Sequence, residues 1–416
     1  MKWTIYAKDI SKSVEHVVRR LKLLDVDVEV KFREDGFIVD ENPSFALAVG
    51  VNPKYGDKAP VKVREDIFAK LKTTDTYKDL DDFSLAKFCR IPADFTALYL
   101  GAEQKLCING KLNCCDLAVI PNDFALCKTY FEMYVVSKIY HYKKIYSISY
   151  LKLFGVEEEE IAAQCFSLSQ NNVKLKYDTK YCDTVISIID YTSKQQNITG
   201  GEKNAAPQTQ PVEDAVENKE YSYQYQPFLH SDARQSDLCL AVCQALTKKY
   251  ANEIYCYEDI SLQQTVVELL TLKNKMVSLA ESVTGGLAAS KLVEIPGAST
   301  VLMESAVTYT NAAKIIRLGV KDYTLEKYTA VSEHVARQMA EGALRSLKTD
   351  FALSVTGYAQ TENSLDLRDD LCYICIAGAQ SPVSVHSLNI KGERNEVREI
   401  LSNCALFYLL KYLRTN

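Results

Sequence analysis

The chain has 416 residues, of which 47% are hydrophobic and 25% charged, and its formal net charge at neutral pH is −5. This composition is typical of soluble globular proteins, and the length predicts two to three domains. An acidic chain without a block of lysine and arginine lacks the charge pattern of nucleic-acid binding, and no apolar run approaches the ~20 residues that span a bilayer. Because the amino terminus carries no apolar signal segment, we expect a cytoplasmic protein without nucleic-acid or membrane partners.

The 13 cysteines are interpreted as buried small side chains, because the chain is long and shows no export signal. Cys239 and Cys243 share one face of a helical pattern with apolar residues. Cys372 and Cys375 lie in a strand pattern, where positions three apart point to opposite faces. The five histidines are scattered and form no HExxH motif. We therefore predict neither a metal site nor a cofactor.

Residues 1–135 alternate between helical and strand-like patterns. Ser11 is placed to cap a helix whose apolar positions recur at helical spacing, and a second helix is predicted over 63–72. Strand-like segments lie at 26–32, 45–51 and 116–121. This alternation predicts an α/β domain with a mostly parallel sheet.

Residues 136–258 have a different pattern, which predicts a small α+β module. A strand is predicted in the segment KKIYSISYLKLFG, then a helix start, and then two strands around a short turn within 173–190. The following stretch, 193–220, is polar, contains Gly and Pro, and has few bulky apolar residues. It is predicted to be a disordered insertion, after which a helix begins at Ser236.

Residues 259–416 predict an α/β/α sandwich. Ser261 begins a helix, strands are predicted at 276–280, 301–309 and 351–357, and further helices end at Gly319, begin near Ser332 and run over 394–413. Three of these strands end in small or hydroxyl-bearing turns, which are Ser282–Gly286, Tyr309–Asn311 and Thr356–Gly357. Open α/β sheets place ligand sites at such strand ends.

The first of these turns is not a specific signal when it is taken alone. Its Thr-Gly-Gly sequence fits neither the dinucleotide-binding GxGxxG motif nor the phosphate-binding GxxxxGK[ST] motif. Glycines at a strand-to-helix turn allow a ligand to approach the backbone, and the following helix start favours an anion. For this segment alone, an ordinary tight turn with a serine cap is the favoured explanation.

The combination of segments is far more specific, and it closely resembles the C-terminal domain of the CinA family. The matching segments are Ala280–Gly286, Pro296–Ser299, Val307–Lys314, Ala330–Gly342, Asp350–Gly357 and the late GERNEVR element at 392–398. Upstream, the middle module is similar to a KH-like domain of the family. Residues 1–135 occupy the place of a molybdopterin-binding-like (MoaB-like) domain, but its signature TGGxGPTxDD is missing near 49–57. We therefore expect a degenerate MoaB-like domain.

The resemblance implies a metal-independent enzyme that converts nicotinamide mononucleotide to nicotinate mononucleotide and ammonia. It implies a functional set of Ser282, Ser299, Tyr309, Lys314, Thr356 and one late arginine, for which Arg394 is preferred. Ser282 is the expected nucleophile. Lys314 is the expected base, provided that burial lowers its pKa, and Tyr309 would relay or orient the proton. The turn residues Thr284, Gly285 and Gly286 would bind substrate, and the helix start after Gly286 would hold phosphate with Arg394. The family also implies a homodimer.

The sequence departs from the family pattern in ways that keep other interpretations open. Val283 replaces a cysteine, and Glu304–Ser305 replaces a glycine pair. The loop at 357–372 has lost its glycines and gained four carboxylates, which are Glu362, Asp366, Asp369 and Asp370. A non-catalytic homologue that binds a nucleotide or a partner protein is the main alternative. A deamidase for another small amide is a third.

Overall fold

The computed structural model describes residues 3–33, 45–50, 61–63, 65–73, 90–92, 95–100, 105–112, 115–170, 172–192, 236–359 and 370–416. The predicted insertion at 193–220, residues 51–57 of the expected phosphate signature and residues 360–369 of the departing loop lie outside this range. The chain divides into two compact units. One consists of Met1–Ser149, Cys165–Asp178 and Ser187–Gln244, and the other of Tyr150–Gln164, Thr179–Ile186 and Ala245–Asn416.

The first part of the chain contains a six-stranded mixed sheet. Its elements are β1 (Trp3–Ala7), α1 (Lys12–Leu23), β2 (Val28–Phe32), β3 (Phe45–Val49), β4 (Val61–Val63), α2 (Glu65–Lys72), β5 (Arg90–Pro92), β6 (Thr96–Leu100), β7 (Lys105–Leu112), β8 (Cys115–Ile120), α3 (Phe124–Tyr130), a π-helical turn (Phe131–Val135) and α4 (Val136–Lys143). The strand order is β2-β1-β3-β8-β7-β6, in which β2, β1, β3 and β8 run parallel. Ser11 caps α1 by accepting a hydrogen bond from the Val14 amide, as predicted.

The middle of the chain contains a second sheet and three helices. Its elements are β9 (Ser147–Phe154), α5 (Glu158–Leu168), β10 (Val173–Lys180), β11 (Asp183–Asp190), α6 (Asp237–Lys249), β12 (Ile254–Cys256) and α7 (Leu262–Lys273). The strand order is β10-β11-β9-β12. The two strands predicted within 173–190 are confirmed, and Tyr181 and Cys182 in the turn between them have positive φ angles.

The C-terminal part of the chain is a three-layer sandwich around a five-stranded sheet. Its elements are β13 (Val277–Glu281), α8 (Leu287–Val293), a 3-10 turn (Ala298–Thr300), β14 (Leu302–Val307), α9 (Asn311–Leu318), α10 (Asp322–Tyr328), α11 (Glu333–Leu347), β15 (Phe351–Gly357), β16 (Leu371–Gly378), β17 (Ser384–Asn389) and α12 (Arg394–Thr415). The strand order is β14-β13-β15-β16-β17, with β14, β13 and β15 parallel and the last two strands antiparallel.

Apolar side chains cover both faces of this sheet. Helices α7, α8 and α12 pack on one face, and α9, α10 and α11 pack on the other. Cys372 belongs to the first cluster and Cys375 lies among residues of α11 on the opposite face, as the strand pattern predicts. The predicted α/β class is therefore confirmed. Within the described ranges, no helix combines the length and the apolar character that a bilayer crossing requires.

Candidate active site

The residues predicted to carry chemistry gather at the carboxyl edge of the parallel strands. Ser282 directly follows β13, and its backbone amide donates to the carbonyl oxygen of Val355 at 2.9 Å. Thr308 directly follows β14, and Thr356 lies in the last part of β15. Because parallel neighbouring strands end at the same edge, the turns after them come together. The sheet thus brings Ser282, Thr308 and Thr356 onto adjacent strand ends.

The central contact joins Lys314 to Ser282. The Lys314 Nζ donates to Ser282 Oγ at 2.9 Å and to the Thr308 carbonyl oxygen at 2.8 Å. Lys314 is only 1% exposed and Ser282 only 7% exposed. A lysine amine and a serine hydroxyl therefore lie within hydrogen-bond distance in a site from which most water is excluded, as a nucleophile and its base require.

Burial changes the acid-base behaviour of Lys314. The loss of solvation lowers the pKa of its amine from 10.5 to about 8, since removing water disfavours the charged form. The local fold explains this burial. Thr310 caps α9 by accepting from the Ala313 amide, and Lys314 then lies on the turn of the helix that faces the sheet. The alternative that Lys314 is an ordinary solvated helix residue is therefore wrong.

The amino-terminal end of α8 is occupied by a side chain of the protein itself. The Glu281 carboxylate accepts hydrogen bonds from the amides of Gly286, Ala288 and Ala289, at 2.9, 3.2 and 2.9 Å. It also accepts from the Thr284 hydroxyl at 2.7 Å. The prediction that this helix start holds a substrate phosphate is thereby corrected, because its amides already have an anion, and the Thr284 hydroxyl faces the same carboxylate.

Gly285 and Gly286 have the backbone conformation that a sharp turn requires. Their φ angles are +62° and +92°, a left-handed conformation that residues with side chains rarely adopt. This conformation folds the chain sharply between Ser282 and α8, so that the Ser282 amide joins β15 while the Gly286 amide reaches Glu281. The role of these glycines is to shape the turn that presents Ser282.

Two arginines from the first turns of α12 lie beside the site. The Arg394 Nη2 donates to the Tyr309 hydroxyl at 3.0 Å, and both groups are exposed. The Arg398 Nε and Nη2 donate to the Thr284 carbonyl oxygen, at 3.3 and 3.0 Å. Within the described residues neither guanidinium is paired with a carboxylate.

Two residues of the predicted functional set, Thr356 and Ser299, do not present an available hydroxyl to Ser282. The Thr356 hydroxyl lies at the correct edge but donates to the Ala330 carbonyl oxygen at 2.9 Å. Ser299 is exposed in the 3-10 turn that precedes the amino end of β14. β14 has six residues, which at ~3.3 Å per residue places about 20 Å between Ser299 and the edge that carries Ser282. Within one chain the fold therefore separates Ser299 from the others.

No three histidine, cysteine, aspartate or glutamate side chains converge on a possible metal position within the described part of the chain. The groups that do converge are an amine, a hydroxyl, two guanidinium groups and a phenol. Residues 259–413, which contain all of them, match the family described as the CinA C-terminal domain. Residues 259–413 of the chain belong to the CinA family, as its C-terminal domain.

Other proteins resemble this CinA domain at moderate identity. A CinA-like protein of Fusobacterium nucleatum is 44% identical over 175 residues, which are 40% of this chain and 42% of that protein. A protein of Alkaliphilus oremlandii named for competence and damage induction is 40% identical over 191 residues, or 44% of each chain. This chain thus spans less than half the length of the curated relatives it matches. The competence/damage inducible protein CihA from Agrobacterium tumefaciens is 37% identical, with 37% of this chain and 93% of that chain covered and a TM-score of 0.35.

One residue of the CinA site, Glu281, was not predicted from the sequence, and a second, Arg398, was only the less favoured of the two late arginines. Glu281 immediately precedes Ser282, and a buried carboxylate at the end of a strand is not distinguishable from a solvated one in the sequence. Arg398 is the second arginine of the GERNEVR element, and it contacts the Ser282–Gly286 turn directly, whereas the preferred Arg394 contacts Tyr309. The spacing of one helical turn between the arginines was the available signal.

Proposed function

We propose that the CinA domain of this chain is a metal-independent amidohydrolase that deamidates nicotinamide mononucleotide, an activity of pyridine nucleotide salvage. The observation that carries this proposal is the contact between the buried Lys314 amine and the Ser282 hydroxyl. Hydrolysis of an amide requires a nucleophile, a base with a pKa near the working pH, and donors for the developing oxyanion. An amine with a pKa of about 8 meets the second requirement.

The reaction proceeds through an ester on the serine. Neutral Lys314 accepts the hydroxyl proton as Ser282 Oγ attacks the carboxamide carbon, while the Thr308 carbonyl oxygen holds the amine in place. The tetrahedral intermediate then expels ammonia, whose nitrogen takes up the proton held by Lys314. Water attacks the resulting ester, the same amine accepts its proton, and the acid is released as Ser282 regains its hydrogen.

The surrounding residues bind charge that develops or arrives with the substrate. The amides of Val283 and Thr284 donate to no acceptor within the described residues, so they are the candidate oxyanion donors. The substrate phosphate pairs with Arg394 and Arg398, because neither guanidinium has a carboxylate partner in the described ranges. Tyr309 shares a hydrogen bond with Arg394, and thereby orients one of these cations.

The test is ammonia release from the purified chain with nicotinamide mononucleotide, compared with Ser282→Ala, Lys314→Ala and the double variant. Lys327→Ala serves as the matched control, since Lys327 is an exposed helical lysine of the same domain. We expect each single variant to lose at least about 1,000-fold in turnover, and the double variant to lose little more, because members of one catalytic unit are non-additive.

Two outcomes would change the assignment. Near-normal turnover in Lys314→Ala would exclude it as the base. Absence of ammonia release from the parent chain, together with saturable binding of the nucleotide in calorimetry, would favour a non-catalytic homologue. Release of ammonia from other small amides would favour a deamidase with another substrate.

A further inference from the structure

Glu281 is a carboxylate with an unusual environment for a charged side chain. It is completely buried, and its hydrogen-bond donors are three backbone amides and two hydroxyls. Within the described residues no lysine or arginine pairs with it. A buried charge is retained only where its donors are numerous and well placed. This concentration of donors on one carboxylate indicates a specific geometric role.

The two sides of the strand end explain what that role is. The Glu281 side chain faces α8, where it holds the amides of the first turn, while the next residue, Ser282, faces Lys314 on the other side of the sheet. The backbone of Glu281 contributes as well, since its carbonyl oxygen accepts from the Thr308 amide at 2.8 Å. Thr308 in turn accepts from Lys314. Residue 281 is therefore connected to both partners of the serine–lysine contact.

A side chain of the neighbouring strand β14 completes the arrangement. The Ser305 hydroxyl on β14 donates to Glu281 Oε1 at 3.0 Å, and so ties the neighbouring strand to the same carboxylate. Ser305 occupies one of the positions at which this sequence departs from the glycine pair of the family pattern. In this chain an additional hydroxyl therefore supports the carboxylate that shapes the turn.

We propose that Glu281 is a positioning residue, which holds the Ser282–Gly286 turn so that the Ser282 hydroxyl lies on the Lys314 amine. This inference rests on the proposed function for its importance to catalysis, but the reactivity of Ser282 can be measured separately. The contrasting role is a merely structural one, in which Glu281 stabilises the fold without affecting the reactivity of the serine.

The decisive variant is Glu281→Gln, which keeps the size of the side chain. Glutamine offers one acceptor oxygen and one NH₂ donor, so at Oε1 the Ala289 amide would face another donor. The Ser305 hydroxyl can rotate to accept, but the backbone amide cannot. We expect the turn to shift by a fraction of an ångström, and such displacement of a nucleophile lowers its reactivity by about 10- to 100-fold.

The assay is the rate at which diisopropyl fluorophosphate labels Ser282, followed by intact mass and peptide mapping. In this reaction Ser282 Oγ forms a bond to phosphorus, fluoride leaves, and Lys314 takes the serine proton. The matched control is Asp350→Asn, because Asp350 also accepts from a backbone amide, that of Met276, but lies at the opposite edge of the sheet. The second variant is Ser305→Ala, because the hydrogen bond of the Ser305 hydroxyl is to the Glu281 carboxylate.

We expect Glu281→Gln to be labelled at least about tenfold more slowly than the parent, Ser305→Ala to be labelled measurably more slowly, and Asp350→Asn to match the parent. The rate should still rise with a midpoint near pH 8 in Glu281→Gln, because burial alone lowers the pKa of Lys314. If Glu281→Gln does not fold, Ser305→Ala decides, and a parental rate in that variant overturns the inference.

Three results overturn the proposal directly. They are parental labelling in folded Glu281→Gln, a loss of labelling in Asp350→Asn equal to that in Glu281→Gln, and failure of the parent itself to be labelled. Ammonia release measured on the same samples separates this inference from the proposed function. Labelling that depends on Glu281, without release of ammonia from the nucleotide, removes the proposed substrate and leaves the positioning role intact.

Discussion

Replacing Lys314 with methionine should abolish turnover without weakening the fold at neutral pH. Methionine keeps most of the apolar stem and removes the amine that donates to Ser282 and to the Thr308 carbonyl oxygen. Loss of these two hydrogen bonds costs about 1 kcal/mol each. The variant is also relieved of a buried charge, and the balance of these two effects depends on pH.

The free-energy penalty of the buried charge follows from the lowered pKa of Lys314. A fall from 10.5 to about 8 corresponds to at most about 3 kcal/mol of penalty on the charged form, which relaxation of the surrounding groups reduces to about 1–2 kcal/mol. In the unfolded chain the amine keeps its proton up to about pH 10.5, whereas in the fold it loses the proton near pH 8. The penalty is therefore present below pH 8 and is relieved as the pH rises from about 8 to 10.5.

The same pKa predicts the activity profile of the parent. At pH 7 about one Lys314 amine in ten is neutral, compared with about one in three thousand for a pKa of 10.5. Burial therefore increases the fraction of neutral, active base ~300-fold. Turnover should consequently rise about tenfold between pH 7 and pH 9. A flat profile over this range would contradict Lys314 as the base.

The assay is denaturant unfolding followed by circular dichroism at pH 7, 8, 9 and 10, on the parent, Lys314→Met and the exposed-lysine control Lys327→Met. The parent should gain about 1–2 kcal/mol over Lys314→Met across this range, while Lys327→Met should follow the parent. Ionisations that the three proteins share cancel in the differences. Parallel pH curves for the parent and Lys314→Met would refute the reasoning.

Two further substitutions test the fold outside the catalytic contact. Although burial opposes it, hydrogen bonds from Lys176 and Lys143 hold the pKa of Asp25 well below its usual range. Asp25→Asn should therefore destabilise the chain by about 1–2 kcal/mol at neutral pH. The difference between the two proteins should disappear below about pH 4, because protonation of Asp25 removes the same stability from the parent. Equal acid sensitivity of both proteins in unfolding experiments would contradict this. At Gly342 an added Cβ would lie 1.9 Å from the Leu318 carbonyl oxygen. Gly342→Ala should therefore lower the free energy of unfolding by about 2–3 kcal/mol, although alanine has the better helix propensity. An unchanged thermal midpoint would be inconsistent with that contact.

Local signals in the sequence determined the elements and their ends. Ser11 and Ser261 cap helices as predicted, Gly319 ends α9 in a left-handed conformation, and the strand predicted at 351–357 coincides with β15. These features depend on neighbouring residues, such as a side-chain oxygen within reach of a nearby amide, or a glycine where φ is positive. The polar turns after strands also located the site, since parallel strands end at one edge.

The chemical state of each site residue depended on contacts between segments far apart in the chain. Lys314 is 32 residues from Ser282, and only the packing of α9 on the sheet removes water from its amine. Because β14 runs parallel to β13, Ser299, which precedes β14, lies at the edge of the sheet opposite to Ser282. Glu281 fills the anion site predicted for a substrate, because a strand and a helix start meet around its carboxylate. Solvation and hydrogen-bond partners are properties of the assembled layers, so no local pattern could reveal them.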